Sequence, residues 1–258
     1  MDQNSLSYIH PGARIGKNVV IEPFSYIADN VEIGDNCHIG PHATIYEYVR
    51  MGSGCSVFPG AVVGAVPQDL KFDGEESWVE IGNNTTIREC ATINRGTAAS
   101  GKYLTKVGSN CLIMSYAHIA HDCRIGDNCI IVSHVGVAGE TDIDDWAIIG
   151  GGTMLHQFSK IGAHAMVGGA SAVNKDVPPY MLCAGRPITY EGINIVGLRR
   201  RGFTIEEIEE IKAIYKIIYE SDKNVSDALR VIDEFYPESK HAKIITDFIR
   251  ASKRGICK

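Results

Sequence analysis

Long apolar runs are absent from this 258-residue sequence, and none approaches the roughly 20 residues needed to cross a bilayer. The first residues, MDQNSLSYIHPG, also lack the basic start and apolar stretch of a secretory signal. An excess of positive charge is missing too, since the formal net charge is -6. Because phosphate binding requires a positive field, we expect no nucleic-acid partner, and we expect a cytoplasmic protein without a membrane span.

Cysteine is not scarce, but its eight copies are spread too widely for the disulfide frame of a small secreted domain. Five of them occupy one place of the repeat described next, where Ala, Val, Thr and Ser otherwise stand. We therefore expect reduced, small core residues at these positions: Cys37, Cys55, Cys111, Cys123 and Cys129.

A period of six residues runs through most of the chain. Written from Ile9, the sequence reads IHPGAR, IGKNVV, IEPFSY, IADNVE, IGDNCH and IGPHAT, and after two interruptions the phase runs unbroken from Val107 to Val173. One branched apolar residue per six, followed by Gly, Asp or Asn, fits neither an α-helix nor an open strand. It is typical of short strands joined by tight turns, with three hexads to a coil. The sequence thus predicts a mainly β fold, a parallel β-helix of hexapeptide repeats in which residues 18 apart stack on neighbouring coils.

Two segments interrupt the hexads: VPQDLKFDGEESWVE (66–80) and AASGKYLTK (98–106). Loops that leave a regular scaffold cost little chain entropy and often carry function. The first loop holds three hydrogen-bonding side chains, Gln68, Asp69 and Lys71. A solvated charged loop explains these three residues equally well.

The six-fold pattern stops near Pro179, where two adjacent prolines mark a boundary. We expect residues 1–185 to form the β-helix and residues 186–258 to form a C-terminal α-helical domain. Positive charge is concentrated in this tail, above all in LRRRG (198–202), which suits an acidic partner.

Three helices are expected in the tail. The first opens with Thr204 and Glu207, which have the spacing of a capping box, and it continues with apolar residues at helical spacing. The other two are expected after Asn224 and after Pro237.

His121 lies in the phrase AHIAHDC and is the third residue of its hexad, a corner position that faces outward. Counting 18 residues onward gives Gly139 and then Gln157, so a base, a bare backbone N–H and an amide should form one external column. Asp122 follows His121, and at a corner the two side chains can converge, which would hold the imidazole as a general base. An exposed histidine with a chance acidic neighbour stays open as an alternative.

Metal binding is a further alternative, because the chain has nine histidines. A zinc site needs three or four convergent ligands, whereas His118, His134 and His156 occupy other hexad places than His121 and do not stack with it. We therefore expect no metal and no other cofactor.

A second column consists of Ser133, Gly151 and Gly169, at third places on a different edge of the coil. Its small residues could admit an extended apolar chain, although turns use glycine in any case. Because no one edge holds both columns, a site that uses both requires a second copy of the chain.

Phrases along nearly the whole chain together resemble the UDP-N-acetylglucosamine 3-O-acyltransferase family, whose members begin lipid A synthesis in Gram-negative bacteria. They include VPQDLKF, LTKVGS, AHIAHDC, AIIGG, HQF, DVPPY, GLRRRGF and KRGI, in the order of that family. The resemblance implies left-handed β-helices assembled as a homotrimer, with active sites between subunits. It also implies transfer of a long 3-hydroxyacyl group from acyl carrier protein to the glucosamine 3-hydroxyl of UDP-N-acetylglucosamine.

By position, the resemblance implies that His121 is the general base, Asp122 its orienting partner and Gly139 the donor of the oxyanion N–H. The implied substrate contacts are Gln68, Asp69, Lys71 and His118 on the sugar side, His156 and Gln157 elsewhere on the substrate, Asn194, Arg200 and Arg201 at the nucleotide and phosphates, and Gly169 as the floor of the acyl groove.

The chain departs from this family at three places. Glu140 stands where a histidine is common after the oxyanion glycine, Val196 stands where an acidic residue is common near the nucleotide, and AGRPITYEG differs from the usual segment. These departures concern the contacts of the sugar and the uridine rather than the chemistry of His121.

Other functions stay open beside this one. An N-acyltransferase that acts two steps later in the same pathway places a uridine-binding domain before its repeats, whereas the hexads here begin at Ile9. Another hexapeptide-repeat acyltransferase would share the fold and differ in its substrates. A non-catalytic β-solenoid scaffold would have regular faces without polar insertions, and both loops argue against it.

Overall fold

The chain winds into a left-handed parallel β-helix with triangular coils, in a computed structural model that describes residues 6–258. Each coil contributes one short strand to each of three sheets, which we call faces 1, 2 and 3 in the order in which the chain meets them. The first edge joins face 1 to face 2, the second edge joins face 2 to face 3, and the third edge returns to face 1. The predicted fold is therefore confirmed.

The strands are two to five residues long, and neighbours within a face are parallel except for the last pair of face 3. Face 1 contains Tyr8–Ile9, Tyr26–Ile27, Thr44–Ile45, Val62–Ala65, Thr92–Asn94, His118–Ile119, Gly136–Val137, Met154–Leu155 and Ala172–Val173. Face 2 contains Arg14–Ile15, Glu32–Ile33, Val49–Met51, Trp78–Ile81, Leu104–Val107, Arg124–Ile125, Asp142–Ile143 and Lys160–Ile161. Face 3 contains Val20–Ile21, His38–Ile39, Ser56–Val57, Thr86–Ile87, Leu112–Ile113, Ile130–Ile131, Ile148–Ile149, Met166–Val167, Met181–Ala184 and Thr189–Ile193.

The core is a set of stacked side chains from the first place of each hexad. Ile27, Ile45, Val63, Ile93 and Ile119 stack in this order along face 1 and are fully buried. Burial of one such side chain contributes about 1.5–3 kcal/mol, so this repeated pattern stabilises every coil against the next. The five cysteines expected in the core are buried and free, as predicted: Cys37, Cys55, Cys111, Cys123 and Cys129.

The turns place the fourth residue of many hexads in the left-handed backbone region, even where it is not glycine. Asp122 has a φ of 59° and Glu140 has a φ of 58°. The N–H of this turn residue donates to the backbone carbonyl oxygen of the third hexad residue on the preceding coil. Glu140 N, for example, donates to the carbonyl oxygen of His121 at 3.0 Å. This bond compensates for a conformation that costs of order 1 kcal/mol or more outside glycine.

Both interrupting loops leave from the first edge. One spans residues 66–77, between Val62–Ala65 and Trp78–Ile81, and the other spans residues 95–103, ahead of Leu104–Val107. The strands that follow the loops are Trp78–Ile81 and Leu104–Val107, and they begin before the hexads resume at Ile81 and Val107. The two strands pair with each other along their full lengths.

The tail adds one strand and four helices to the end of the β-helix. Thr189–Ile193 pairs antiparallel with Met181–Ala184 and covers the open edge of face 3, a strand that the sequence pattern did not indicate. The helices are α1 (Ile195–Arg200), α2 (Ile205–Tyr219), α3 (Val225–Phe235) and α4 (Lys240–Ala251). α1 was not expected, whereas α2 to α4 begin where they were predicted.

Hydrogen bonds at the helix starts and at the domain contact hold the tail in place. The capping box of Thr204 and Glu207 is present, and the side chain of Asn224 caps α3. The hydroxyl of Tyr215 donates to the carbonyl oxygen of Pro179 at 2.5 Å and ties α2 to the end of the β-helix. In residues 6–258, none of the helices has both the length and the apolar character that crossing a membrane requires.

Candidate active site

His121 and Asp122 form a hydrogen-bonded pair on the first edge. The Nδ1–H of His121 donates to Oδ2 of Asp122 over 2.8 Å, as predicted for a corner position. The left-handed backbone of Asp122 turns its side chain back toward its neighbour, which a straight strand could not do. The carboxylate is fully buried, and the bond leaves Nε2 of the imidazole as the ring nitrogen that can accept a proton.

The second loop and the strand that follows it, Leu104–Val107, make further hydrogen bonds with Asp122. The N–H of Thr97 donates to Oδ1 at 2.9 Å, and the hydroxyl of Thr97 donates to Oδ2 at 2.7 Å. The N–H of Asp122 donates to Oγ1 of Thr105 at 2.7 Å, and Nζ of Lys102 donates to the carbonyl oxygen of Asp122 at 3.2 Å. Thr97, Thr105 and Lys102 were not predicted from the sequence. A usable signal existed, because both loops interrupt the hexads at the corner that carries His121.

The first loop brings Asp69 to the other side of the imidazole. Oδ2 of Asp69 lies 3.7 Å from Nε2 of His121, and the two side chains are 21% and 15% exposed. The N–H of Lys71 donates to Oδ1 of Asp69 at 3.0 Å and bends the loop at this point. The side chains of Gln68 and Lys71 are exposed beside it. The imidazole therefore lies between two carboxylates, one fully buried and one partly exposed.

Gly139 lies directly against His121 on the next coil. A methyl group built on Gly139 would lie 2.5 Å from Nε2 of His121, so only glycine leaves room for the ring. On the second edge, third-place N–H groups donate to side chains of the next coil, as Ser109 N does to Asp127 Oδ1 at 2.7 Å. The N–H of Gly139 has no such partner among residues 6–258, where Gln157 stands at the corresponding place of the next coil. It is a free backbone donor beside the imidazole of His121.

Other expected contacts surround this pair on face 1 and along the first edge. Nδ1 of His118 lies 2.7 Å from Oγ1 of Thr92, and burial, followed by the charge of His121, lowers the pKa of His118. Nδ1 of His156 lies 3.0 Å from the backbone oxygen of Gln157, and both residues are exposed. Along the first edge, His121, Gly139 and Gln157 follow one another on successive coils, as predicted.

The residues expected at the nucleotide lie elsewhere in the single chain. Asn194 caps α1 through Gly197 N at 3.1 Å, and its Nδ2 donates to the backbone oxygen of His164 at 2.9 Å. Asn194, Val196 and Arg200 line a cleft of about 850 Å³ over face 3. Arg201 instead covers the ring of Trp146 on the second edge, at 5.3 Å from its centroid.

The column of Ser133, Gly151 and Gly169 lies on the third edge, so the two columns occupy different edges as predicted. A methyl group on Gly169 would come no closer than 3.2 Å to the backbone of Gly151, and the residue is exposed. A side chain at Gly169 therefore needs a shift of a few tenths of an ångström in the backbone of Gly151 and then projects outward.

Metal-ligating side chains do not cluster in the part of the chain that the structure describes. Within residues 6–258, no three His, Cys, Asp or Glu side chains converge as the ligands of one ion would.

A triangular β-helix of hexads with a histidine–carboxylate pair on its edge defines the class of hexapeptide-repeat acyltransferases. Residues 12–47 and 104–139 match the family described as "Bacterial transferase hexapeptide (six repeats)", and residues 176–257 match "Udp N-acetylglucosamine O-acyltransferase; Domain 2". The chain is 51% identical to the acyl-[acyl-carrier-protein]–UDP-N-acetylglucosamine O-acyltransferase of Paracidovorax citrulli, over 99% of this chain and 98% of the relative.

Solved structures agree with the sequence match. The UDP-N-acetylglucosamine acyltransferase LpxA of Bacteroides fragilis superposes with a TM-score of 0.95 at 52% identity, over 99% of each chain. The enzyme of Francisella novicida superposes with a TM-score of 0.95 at 41% identity, over 98% of this chain and 93% of the other. The chain belongs to the family of acyl-[acyl-carrier-protein]–UDP-N-acetylglucosamine O-acyltransferases, and it is an acyltransferase.

Proposed function

We propose that this protein transfers a long 3-hydroxyacyl group from acyl carrier protein to the glucosamine 3-hydroxyl of UDP-N-acetylglucosamine, the first step of lipid A biosynthesis. The observation that carries the proposal is the His121–Asp122 pair beside the free N–H of Gly139, in a chain similar over its full length to enzymes named for these substrates. A sugar hydroxyl is a poor nucleophile until a base takes its proton, and the pair supplies that base.

The reaction requires one proton transfer and one acyl transfer. Nε2 of His121 takes the proton of the 3-hydroxyl while the sugar oxygen attacks the thioester carbonyl. The N–H of Gly139 stabilises the negative charge that develops on the carbonyl oxygen. The carbon–sulfur bond then breaks, and the thiolate of the carrier's prosthetic group leaves with the proton held by His121. Asp122 keeps the ring in the required tautomer and stabilises the imidazolium that forms in between.

The sugar is proposed to bind between the two loops and face 1. Asp69 lies 3.7 Å from Nε2, and a sugar hydroxyl placed between them could donate to Asp69 and to His121 in turn. Gln68, Lys71 and His118 surround this position as further hydrogen-bonding groups. His156 and Gln157 extend it along the first edge toward the tail.

The complete site is proposed to lie between subunits of a homotrimer. His121 is on the first edge, Gly169 is on the third edge, and Asn194 and Arg200 face the cleft over face 3. One chain cannot bring these regions together, whereas two adjacent copies can. Sedimentation of the purified protein checks the assembly, and a monomer with full activity would contradict it.

The partners follow from the same assignment. The basic segment LRRRG suits an acidic partner, which we propose is acyl carrier protein, and the arginine fork suits a diphosphate. With these substrates, cytoplasmic localisation stays our prediction.

Incubation of the pure protein with UDP-N-acetylglucosamine and 3-hydroxyacyl carrier proteins of graded chain length tests the function. The expected product is the 3-O-acylated sugar nucleotide. The same donors are offered to UDP-3-O-acylglucosamine to test for the N-acyltransferase. If no chain length gives the 3-O-acylated product, the proposal is wrong, and activity in neither assay would favour a scaffold.

A further inference from the structure

Thr97 contacts both oxygens of the buried carboxylate that holds the candidate base. Its N–H and its hydroxyl reach Oδ1 and Oδ2 of Asp122 at 2.9 Å and 2.7 Å. Oδ2 is also the oxygen that accepts the Nδ1–H of His121. Among residues 6–258, only Thr97 and His121 donate hydrogen bonds to this carboxylate. A carboxylate without solvent depends on such donors for both its charge and its orientation.

The second loop is closed tightly at its base, so Thr97 is held in place. The N–H of Tyr103 donates to the carbonyl oxygen of Thr97 at 3.2 Å, and the N–H of Trp78 donates to that of Tyr103 at 2.8 Å. A side chain on Gly96 would collide with the backbone of Tyr103 and Leu104, where the chain returns. The loop thus brings a rigid backbone and a fully buried hydroxyl to Asp122.

We infer that Thr97 is a positioning residue for the acyl transfer proposed above: it fixes the Asp122 carboxylate so that Oδ2 faces Nδ1 of His121 and the base keeps its tautomer. This inference rests on the proposed function. It also assigns a role to the second loop, which contributes no group to the substrate side of the imidazole in this arrangement.

The other charged groups that face the pair come from three elements. Asp69 approaches Nε2 from the first loop, His118 lies on the adjacent strand, and Lys102 of the second loop bonds the backbone of Asp122 and not its carboxylate. Burial raises the pKa of the neighbouring Cys123 thiol to about 12, which keeps it neutral. None of these groups donates a hydrogen bond to the carboxylate of Asp122, so none takes the place of the hydroxyl of Thr97.

The test compares Thr97→Val, Thr97→Ser and the matched control Thr85→Val. Valine keeps the shape and the N–H of Thr97 but removes the hydroxyl, and serine restores it. Thr85 is equally buried on the second edge, where its hydroxyl donates to Gly108 O at 2.8 Å and accepts from Cys111 N at 3.1 Å. Thr85→Val therefore loses comparable hydrogen bonds without touching Asp122.

We expect kcat of Thr97→Val to fall by about ten- to a hundred-fold, the usual effect of one hydrogen bond to a charged group, while KM for the sugar nucleotide stays within about twofold. With one donor fewer, the carboxylate attracts the proton on His121 more strongly. The acid limb of the kcat/KM profile therefore moves to higher pH. Thr97→Ser and Thr85→Val should keep the parent's profile. If Thr97→Val does not assemble, Thr97→Ala is measured with the same expectation.

The outcomes separate the inference from the proposed function. An inactive parent protein would mean that the proposed function is wrong, and an active His121→Ala variant would mean that the base is another group. With an active parent and an inactive His121→Ala, a Thr97→Val profile that coincides with that of Thr85→Val, or moves to lower pH, overturns the role of Thr97.

Discussion

Gly139 and His121 are so close that a single methyl group on Gly139 would lie 2.5 Å from Nε2 of His121. The glycine has an ordinary backbone conformation, so the space for the imidazole and not a turn requires it. Gly139→Ala should therefore displace the ring and lower kcat/KM about a hundredfold, which is the effect of a shift of roughly 1 Å at a reacting group. Steady-state kinetics measure this, with thermal unfolding and sedimentation as controls. Activity above half of the parent's would show that the ring tolerates the methyl group.

His121→Ala should lower turnover by about a hundred- to ten-thousand-fold, the usual contribution of a positioned general base. The side chain lies outside the coil, so its removal opens no core cavity, and assembly and nucleotide binding should persist. His38→Ala is the matched control, because His38 is an exposed histidine on face 3. Retention of more than about a tenth of the activity by His121→Ala would identify another group as the base.

Gly169→Met should shift the preference toward shorter acyl donors. The third edge is open at Gly169, and each buried methylene of the donor contributes up to about 0.8 kcal/mol while the groove has room. A methionine fills that room from a backbone that does not have a positive φ, and its Cβ, 3.2 Å from the carbonyl oxygen of Gly151, requires only a small shift of that neighbour. Values of kcat/KM for donors of graded length measure the shift, and KM for the sugar serves as the internal control. An unchanged optimum would place the acyl groove elsewhere.

His164 should make stability depend on pH. Burial, and secondarily the charge of Arg201, lowers the pKa of His164 to about 4 in the folded state. The unfolded chain binds a proton near the ordinary value of about 6.5, so it binds more protons than the folded chain between these two pH values. Stability therefore falls as the pH decreases from about 6.5 to about 4.

His164→Gln should lose that part of the pH dependence, because glutamine does not titrate. Melting temperatures of both proteins, measured across this range at constant salt, test the prediction. His38→Gln is the matched control, since it makes the same substitution at an exposed position on face 3. Equal slopes for the parent and His164→Gln would contradict the assignment.

The repeat fold could be predicted from the sequence because its signals are local. A branched residue every six positions occupies the core, and the turn residues between them set the coil length. Counting by 18 then placed His121, Gly139 and Gln157 in one column and Gly169 in another. The bond between His121 and Asp122 also followed from a neighbour relationship at a corner. The three main helices were predictable for the same reason, from the capping box of Thr204 and Glu207, from Asn224 and from Pro237.

The contacts of the loops were decided by the tertiary structure alone. The insertions have no period, so nothing in the sequence places Asp69 near Nε2 of His121 or Thr97 against Asp122. Arg200 and Arg201 diverge at the end of α1, because consecutive residues on a helix point about 100° apart. Whether such residues meet depends on how separate elements pack. Local repetition therefore determined the scaffold and the position of the candidate base His121, whereas long-range packing decided what surrounds that histidine.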